Sequence, residues 1–402
     1  MLNIEPPLTS RYAFLHTGFR PFFAAASLGS AVLMLLWMGI FTRGWWATPP
    51  DFPMITWHAY EMTFGFGVAV VTGFLLTAVK NWTSLKTLDG YPLLGLALLW
   101  LLARLLPFLP FGGVNAALLA ELGFLLWLGV VITRPIVRTR QWSQMAVIAK
   151  VFLLVPALGL VALGLNGIWG PGIGVGLYSG LYLLLGLVLT LGRRVMPMFI
   201  ERGLNNGFLT RNHAQVDRWC LILFVVFAVN GVWLQASSNE FLSNTLGVLA
   251  VLLAGLHSWR LYGWYHPGIW QKPLLWSLVL GYSFIILGFV LQAATRVLVL
   301  NPSVALHAFT VGGLGLVTLG MMARVSLGHT GRNVNAPPQF LKPIFVVAAM
   351  AAFSRSLGVA VFPVYYGFWI LISQGLWITA FGLFSAAYLP IWIYPRLDGG
   401  RG

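Results

Sequence analysis

Twelve runs of roughly 17–25 mostly apolar residues, closed off by Pro, Gly or charge, limit this chain to very few folds. They fall at about 21–42, 57–79, 91–109, 114–133, 145–164, 174–192, 217–236, 245–264, 274–296, 304–323, 342–362 and 367–391. Runs of that length span the hydrocarbon core, where only helices and closed barrels satisfy their own backbone hydrogen bonds. Continuous apolar runs of this length read as helices. The expectation is an all-α polytopic protein of 12 transmembrane helices, a single transmembrane domain over residues 1–402. Charged residues make up 8% of the chain, against about a quarter in soluble domains.

Net charge is +15, which in a soluble chain would suggest nucleic acid. Here the basic residues are spread over many short connections, so the positive-inside bias accounts for them and no nucleic-acid partner is expected. Arg11, Arg20, Lys80, Lys86, Arg134, Arg138, Arg140, Lys150, Arg193, Arg194, Arg202, Arg211 and Arg218 fall on one side of the membrane. So do Arg260, Lys272, Arg324, Arg332, Lys342, Arg396 and Arg401, while the other side keeps Arg43 and Arg296. Both termini are therefore expected to be cytoplasmic. The single cysteine, Cys220, excludes an internal disulfide and a CxxCH haem attachment. Residues 1–20 are too polar for a signal peptide, so the first run is expected to remain as a helix. The longest connection, about 193–216, suggests a six-plus-six division; basic loops after helices 2, 6 and 10 suggest three groups of four.

Ionisable groups inside spans are costly and mark function or tight pairing. With the helix directions set by charge, Arg104 and Arg355 lie roughly 8–10 Å below the outer surface. Glu61 and Glu121 fall in the same outer third, with His58 and His307 opening helices 2 and 10 and Arg296 closing helix 9. The plain reading is a set of ion pairs locking helices together. It explains the carboxylates and arginines better than the histidines. Neutral imidazole is a preferred ligand of iron and copper, and two histidines at one depth can clamp a haem iron from both faces. Arg104, Arg355 and Arg296 would then neutralise the propionates, and Glu61 would orient a ring N–H or relay protons. Small residues follow both histidines (Gly65, Ala69, Gly73; Gly312, Gly313, Gly315, Gly320) and admit either a neighbouring helix or a flat cofactor.

On the inner side, His329 lies roughly 33 Å along a helix from His307, so the two cannot share a metal. His329 is read with His16, Arg20 and Arg332 as a second candidate site, against a plain role in loop ordering. His213 and His266 read as loop residues, and His257 as a packing residue. Met196, Met198, Met321 and Met322 suit copper(I), but methionine in apolar helices is usually filler.

GFRPFF at 18–23, WHAYEMTFGF at 57–66, RVMPMFIERGL at 194–204 and HAFTVGG at 307–313 leading into ARVSLGHTGR at 323–332 resemble the NnrS family of bacterial membrane proteins over essentially the whole chain. The resemblance implies haem b and copper, a multi-pass location in the cytoplasmic (inner) membrane, and a part in nitric oxide metabolism or nitrosative-stress resistance. His58 and Glu61 match the helix 2 motif, whereas Tyr60 stands where the family more often has a second histidine. A looser architectural resemblance is to the catalytic subunit of haem–copper oxidases. Helices 6 and 7 here lack histidine, and Phe309 replaces a second histidine in helix 10, so only the electron-carrying haem has a counterpart.

The expectation is a haem b protein held by His58 and His307 near the periplasmic side, with nitric oxide or a related small molecule and an electron donor as partners besides the lipid bilayer. If an enzyme, it would be a haem-dependent oxidoreductase acting on nitric oxide or a related nitrogen oxide. The alternatives are a proton-coupled transporter using the Glu/Arg cluster and an assembly factor for a respiratory or denitrification complex.

Overall fold

The structure is a computed structural model and describes residues 13–44, 49, 52–109 and 113–400. Arg11 and Arg401 of the charge pattern lie outside these residues, as does the side chain of Arg43. Among the described residues, twelve helices are long and apolar enough to cross a membrane. They are α1 (Phe19–Thr42), α2 (Met54–Thr83), α3 (Gly90–Phe108), α4 (Gly113–Arg138), α5 (Trp142–Leu165) and α6 (Gly172–Leu204). The remainder are α7 (Ala214–Trp233), α8 (Glu240–Trp264), α9 (Pro273–Ala294), α10 (Ser303–His329), α11 (Leu341–Val361) and α12 (Pro363–Ile393).

Local chemistry sets the helix ends. The Asn239 side chain accepts from the Leu242 N–H at the start of α8, and Pro273 opens α9 where its missing N–H costs nothing. Ser84 after α2 and Asn205 after α6 adopt left-handed φ and stop their helices. Hydroxyls within the helices bond back to carbonyls one turn earlier, as Thr72 does to Val68 and Thr77 to Gly73. That satisfies them without water.

The apolar runs mark the helices but not their full length. α6 continues twelve residues past Gly192 and absorbs Arg193, Arg194, Glu201, Arg202 and Pro197, so the connection expected over 193–216 shrinks to 205–213. Arg20, counted with the N-terminal tail, is the second residue of α1 and is fully buried. Helix propensity carries the backbone beyond the hydrocarbon edge, and several basic residues of the charge pattern therefore stand on helix ends rather than in loops.

The chain divides into two compact units, and the division matches neither expected grouping. One unit holds residues 1–168, 322–337 and 381–402, and the other 169–321 and 338–380. In the first, α1 packs along α2, α2 on α4, α3 on α4 and α4 on α5. A Cβ on Gly73 would come within 2.8 Å of the Phe23 ring, which ties GFRPFF to the small-residue face of α2. In the second, α6 packs on α7, α7 on α8, α8 on α9, and α9 on the first part of α10, which also meets α11. On α7, Leu221, Val225, Val229 and Trp233 form an exposed apolar stripe opposite buried Cys220, Phe224 and Phe227. Such a stripe suits lipid contact.

Candidate functional site

In the first unit, α2 begins as regular helix, carries His58 as its fifth residue, and then widens into a π-helical segment over Glu61–Gly67. Widened turns are uncommon and recur at functional sites. His58 stacks on Trp37 of α1, with centroids 4.4 Å apart and planes 10° from parallel. Glu61, opening the widened segment, is buried and lies 3.2 Å from Arg104 Nε of α3. Arg104 also donates through Nη2 to Glu121 of α4 at 2.5 Å and to the Tyr60 hydroxyl at 3.1 Å. The guanidinium lies over the Tyr60 and Trp100 rings. Gly65 makes room, since a Cβ there would meet Glu61 Oε2 at 2.8 Å and Arg104 Nη1 at 2.9 Å. Trp100 donates to the Gly65 carbonyl at 3.1 Å.

Arg104 therefore joins two carboxylates across three helices, as the ion-pair reading had it for these three residues; Arg355, which that reading included, belongs to the other unit. Tyr60 is part of the same cluster. Glu61 Oε1, Glu121 Oε1 and Arg104 Nη1 are buried without a hydrogen-bond partner, so the cluster keeps unspent polar capacity.

The second unit repeats the device on α10. His307 is again the fifth residue of its span and leads into a π-helical segment, Ala308–Leu314. Its Nδ1 lies 2.6 Å from the Ser303 carbonyl. A carbonyl only accepts, so Nδ1 carries the proton and the ring lone pair falls on Nε2. A neutral imidazole in that tautomer can offer Nε2 to a metal. Arg355 lies in a further widened segment, Ser354–Gly358 of α11, which packs against the start of α10; Gly39–Arg43 of α1 is widened as well. Arg355 Nη1 is buried with no hydrogen-bond partner, and the guanidinium lies over the Tyr366 ring at 6.0 Å. His307 and Arg355 thus occupy neighbouring segments, with an unspent cationic donor suited to a carboxylate. Arg296 instead donates to the Ser243 hydroxyl at 2.5 Å.

Glycines after His307 serve helix packing. A Cβ on Gly312 would overlap the Phe284 ring, one on Gly313 would meet Ile285, and one on Gly315 would meet Trp377.

His257, read as a packing residue, stacks on Phe289 and also carries a polar chain. Its Nδ1 lies 2.5 Å from the Tyr282 hydroxyl, which accepts from Arg260 at 3.2 Å. Arg260 pairs with Asp217 at 2.7 Å, and Asp217 reaches Arg193 at 2.9 Å. No sequence pattern signals this chain, because its members come from four helices. Replacing Asp217 by asparagine leaves the buried Arg260 charge without its carboxylate. We expect a loss of about 2–3 kcal/mol, read as a lower thermal midpoint in detergent. An unchanged midpoint would deny Asp217 this role.

On the inner side, His16 and His329 both line one cavity of about 460 Å³ in the first unit. Arg20 does not join them; its Nη1 donates to the carbonyls of Ile391, Trp392 and Tyr394 at the end of α12. His266 is a turn residue whose Nδ1 accepts from the Gly268 N–H. Met196 and Met322 are buried core side chains. Among the described residues, no three His, Cys, Asp or Glu side chains converge as a metal cage. The His16–His329 cavity also contains Lys80, Lys86 and Arg396, which oppose a bare cation. These residues do not fit a copper ion.

Twelve spanning helices with a guanidinium–carboxylate cluster buried inside one unit, and histidines set before widened turns in both, define a polytopic helical membrane protein with polar chemistry within its spans. The chain belongs to the NnrS family: the model of that family, described as NnrS protein, matches residues 13–396. A search of curated proteins finds no match.

Proposed function

We propose that this NnrS-family protein is a haem b protein of the bacterial cytoplasmic membrane, with both termini cytoplasmic, acting in nitric oxide metabolism or nitrosative-stress resistance. His58 and His307 are the residues that would hold its iron, through their imidazoles. The observation that carries the reading is the matched construction of α2 and α10, each with a histidine fifth in its span and a widened turn close behind. The His307 tautomer and the unpartnered Arg355 nitrogen suit an iron and a propionate respectively. Bound haem would supply one-electron chemistry at the iron. The chain's part is to hold the rings. Trp37 fixes the plane of His58 by stacking, the Ser303 carbonyl fixes the tautomer of His307, and Arg355 offsets propionate charge. Arg104 is committed to Glu61 and Glu121, so it acts on the haem only at a distance, through the position of Glu61.

Purified protein is expected to show a Soret band with stoichiometric iron. His58→Ala and His307→Ala should each lose haem or shift the spectrum from six- to five-coordinate. Full wild-type haem content and spectrum in both variants would remove the ligand assignment.

The unpartnered oxygens of Glu61 and Glu121 beside Arg104 favour a second reading, a proton-coupled transporter with its path through that cluster. A colourless protein, expressed with ample haem, would select it.

A further inference from the structure

The contact between Tyr282 of α9 and His257 of α8 is buried, polar and unused by the haem reading. We infer that the two residues form a redox-active pair, in which Tyr282 gives up one electron while its phenolic proton passes to His257. The oxidant is a small apolar radical that dissolves in the bilayer, of the nitrogen dioxide class. That choice of oxidant rests on the nitrosative-stress reading, whereas the pair itself rests on geometry.

Hydrogen-bond directions fix where the proton lies. Arg260 Nη1 can only donate, so the Tyr282 oxygen accepts from it at 3.2 Å. The phenol's own hydrogen then points to His257 Nδ1, 2.5 Å away. Nδ1 accordingly carries the ring lone pair and Nε2 the proton, and a base already stands at the end of the phenolic O–H. Both side chains are 1% exposed, so water neither competes for this proton nor carries it off. The His257 ring is held in place by Phe289, 11° from parallel with centroids 5.6 Å apart. The proton can therefore move along an existing bond while the heavy atoms stay where they are. Arg260 would oppose an imidazolium, but Asp217 pairs with it at 2.7 Å and offsets its charge. Trp264, fully buried, lies against Tyr282 with centroids 5.4 Å apart. It extends the aromatic contact through which the electron leaves, so the oxidant need not touch the phenol.

The step balances. Phenol, imidazole and nitrogen dioxide become phenoxyl radical, imidazolium and nitrite. The O–H bond of Tyr282 breaks and an N–H bond forms at His257 Nδ1, while tyrosine loses one electron and nitrogen dioxide gains it.

The test uses the full chain in phosphatidylcholine nanodiscs, mixed rapidly with dissolved nitrogen dioxide and frozen for electron paramagnetic resonance. A phenoxyl radical is expected. The chain has 12 tyrosines, so the assignment rests on Tyr282→Phe, which should remove the signal of a hydrogen-bonded phenoxyl. His257→Phe should lower that signal about a hundredfold, the low end of what a positioned base contributes. Wild type carrying isotope-labelled histidine should show coupling between the radical and an imidazole nitrogen. Both variants should keep the wild-type haem spectrum, and the radical should form equally in protein expressed under haem limitation. Failure of this pair and failure of the haem ligand assignment are thereby told apart.

The proposal is overturned if wild type gives no phenoxyl signal that Tyr282→Phe removes, or if folded His257→Phe yields the radical as wild type does. Should either variant fail to fold, the labelled wild type decides: nitrogen coupling supports the pair, and a phenoxyl without it overturns the proposal.

Discussion

Arg104→Ala is expected to destabilise the first unit by about 3–5 kcal/mol, the usual cost of stranding buried charge by removing its partner. Glu61 and Glu121 are 1% and 0% exposed, and Arg104 is their shared counter-ion. Without it, each carboxylate must take up a proton or drag water into the packed helices. Arg104→Lys should recover little, because a single ammonium cannot reproduce the guanidinium fork that meets Glu121, Glu61 and Tyr60 together. The informative rescue is Arg104→Leu combined with Glu61→Gln and Glu121→Gln, which removes all three formal charges. That triple variant should melt well above Arg104→Ala in detergent, followed by circular dichroism. If Arg104→Ala melts with wild type, the cluster is no structural lock.

Arg20→Ala should be nearly as damaging, at about 3 kcal/mol for a charged donor serving several carbonyls. A helix C-terminus leaves four carbonyls without helical partners, and at the end of α12 Arg20 Nη1 reaches Ile391 at 3.2 Å, Trp392 at 2.9 Å and Tyr394 at 2.7 Å. The cation also faces the negative end of the helix dipole. Nearby, the Trp392 indole donates to the Ser326 hydroxyl at 2.8 Å, and the Ala13 N–H donates to the Ile393 carbonyl at 2.7 Å. Arg20 is thus the anchor by which GFRPFF fastens the end of the chain. Arg20→Ala should lower the melting midpoint and raise proteolysis near 391–397, whereas Arg332→Ala, less buried, should do far less. Equal sensitivity of the two variants would contradict the anchor role.

Much of the architecture was legible in the residues. Each of the twelve apolar runs has its helix, with ends displaced by a few residues at most positions. α6 is the exception, because Arg193, Arg194 and Pro197 read as a boundary while the backbone continued through them. Depth was readable too: Glu61, Arg104 and Glu121 do share a layer.

What depth could not supply was partnership. Any of several arginines at one level might have taken Glu61, and the choice of Arg104 depends on how α2, α3 and α4 pack and on the opening left by Gly65. Nor could hydropathy show the widened turns behind His58 and His307, because a π segment leaves the apolar periodicity almost unchanged. The chain's own residues therefore determined the number of spans and the level of each polar group, since desolvation acts on each segment locally. Only the tertiary structure decided which cation meets which anion, because Arg20 and Trp392, 372 residues apart, are brought together by packing that no local pattern encodes.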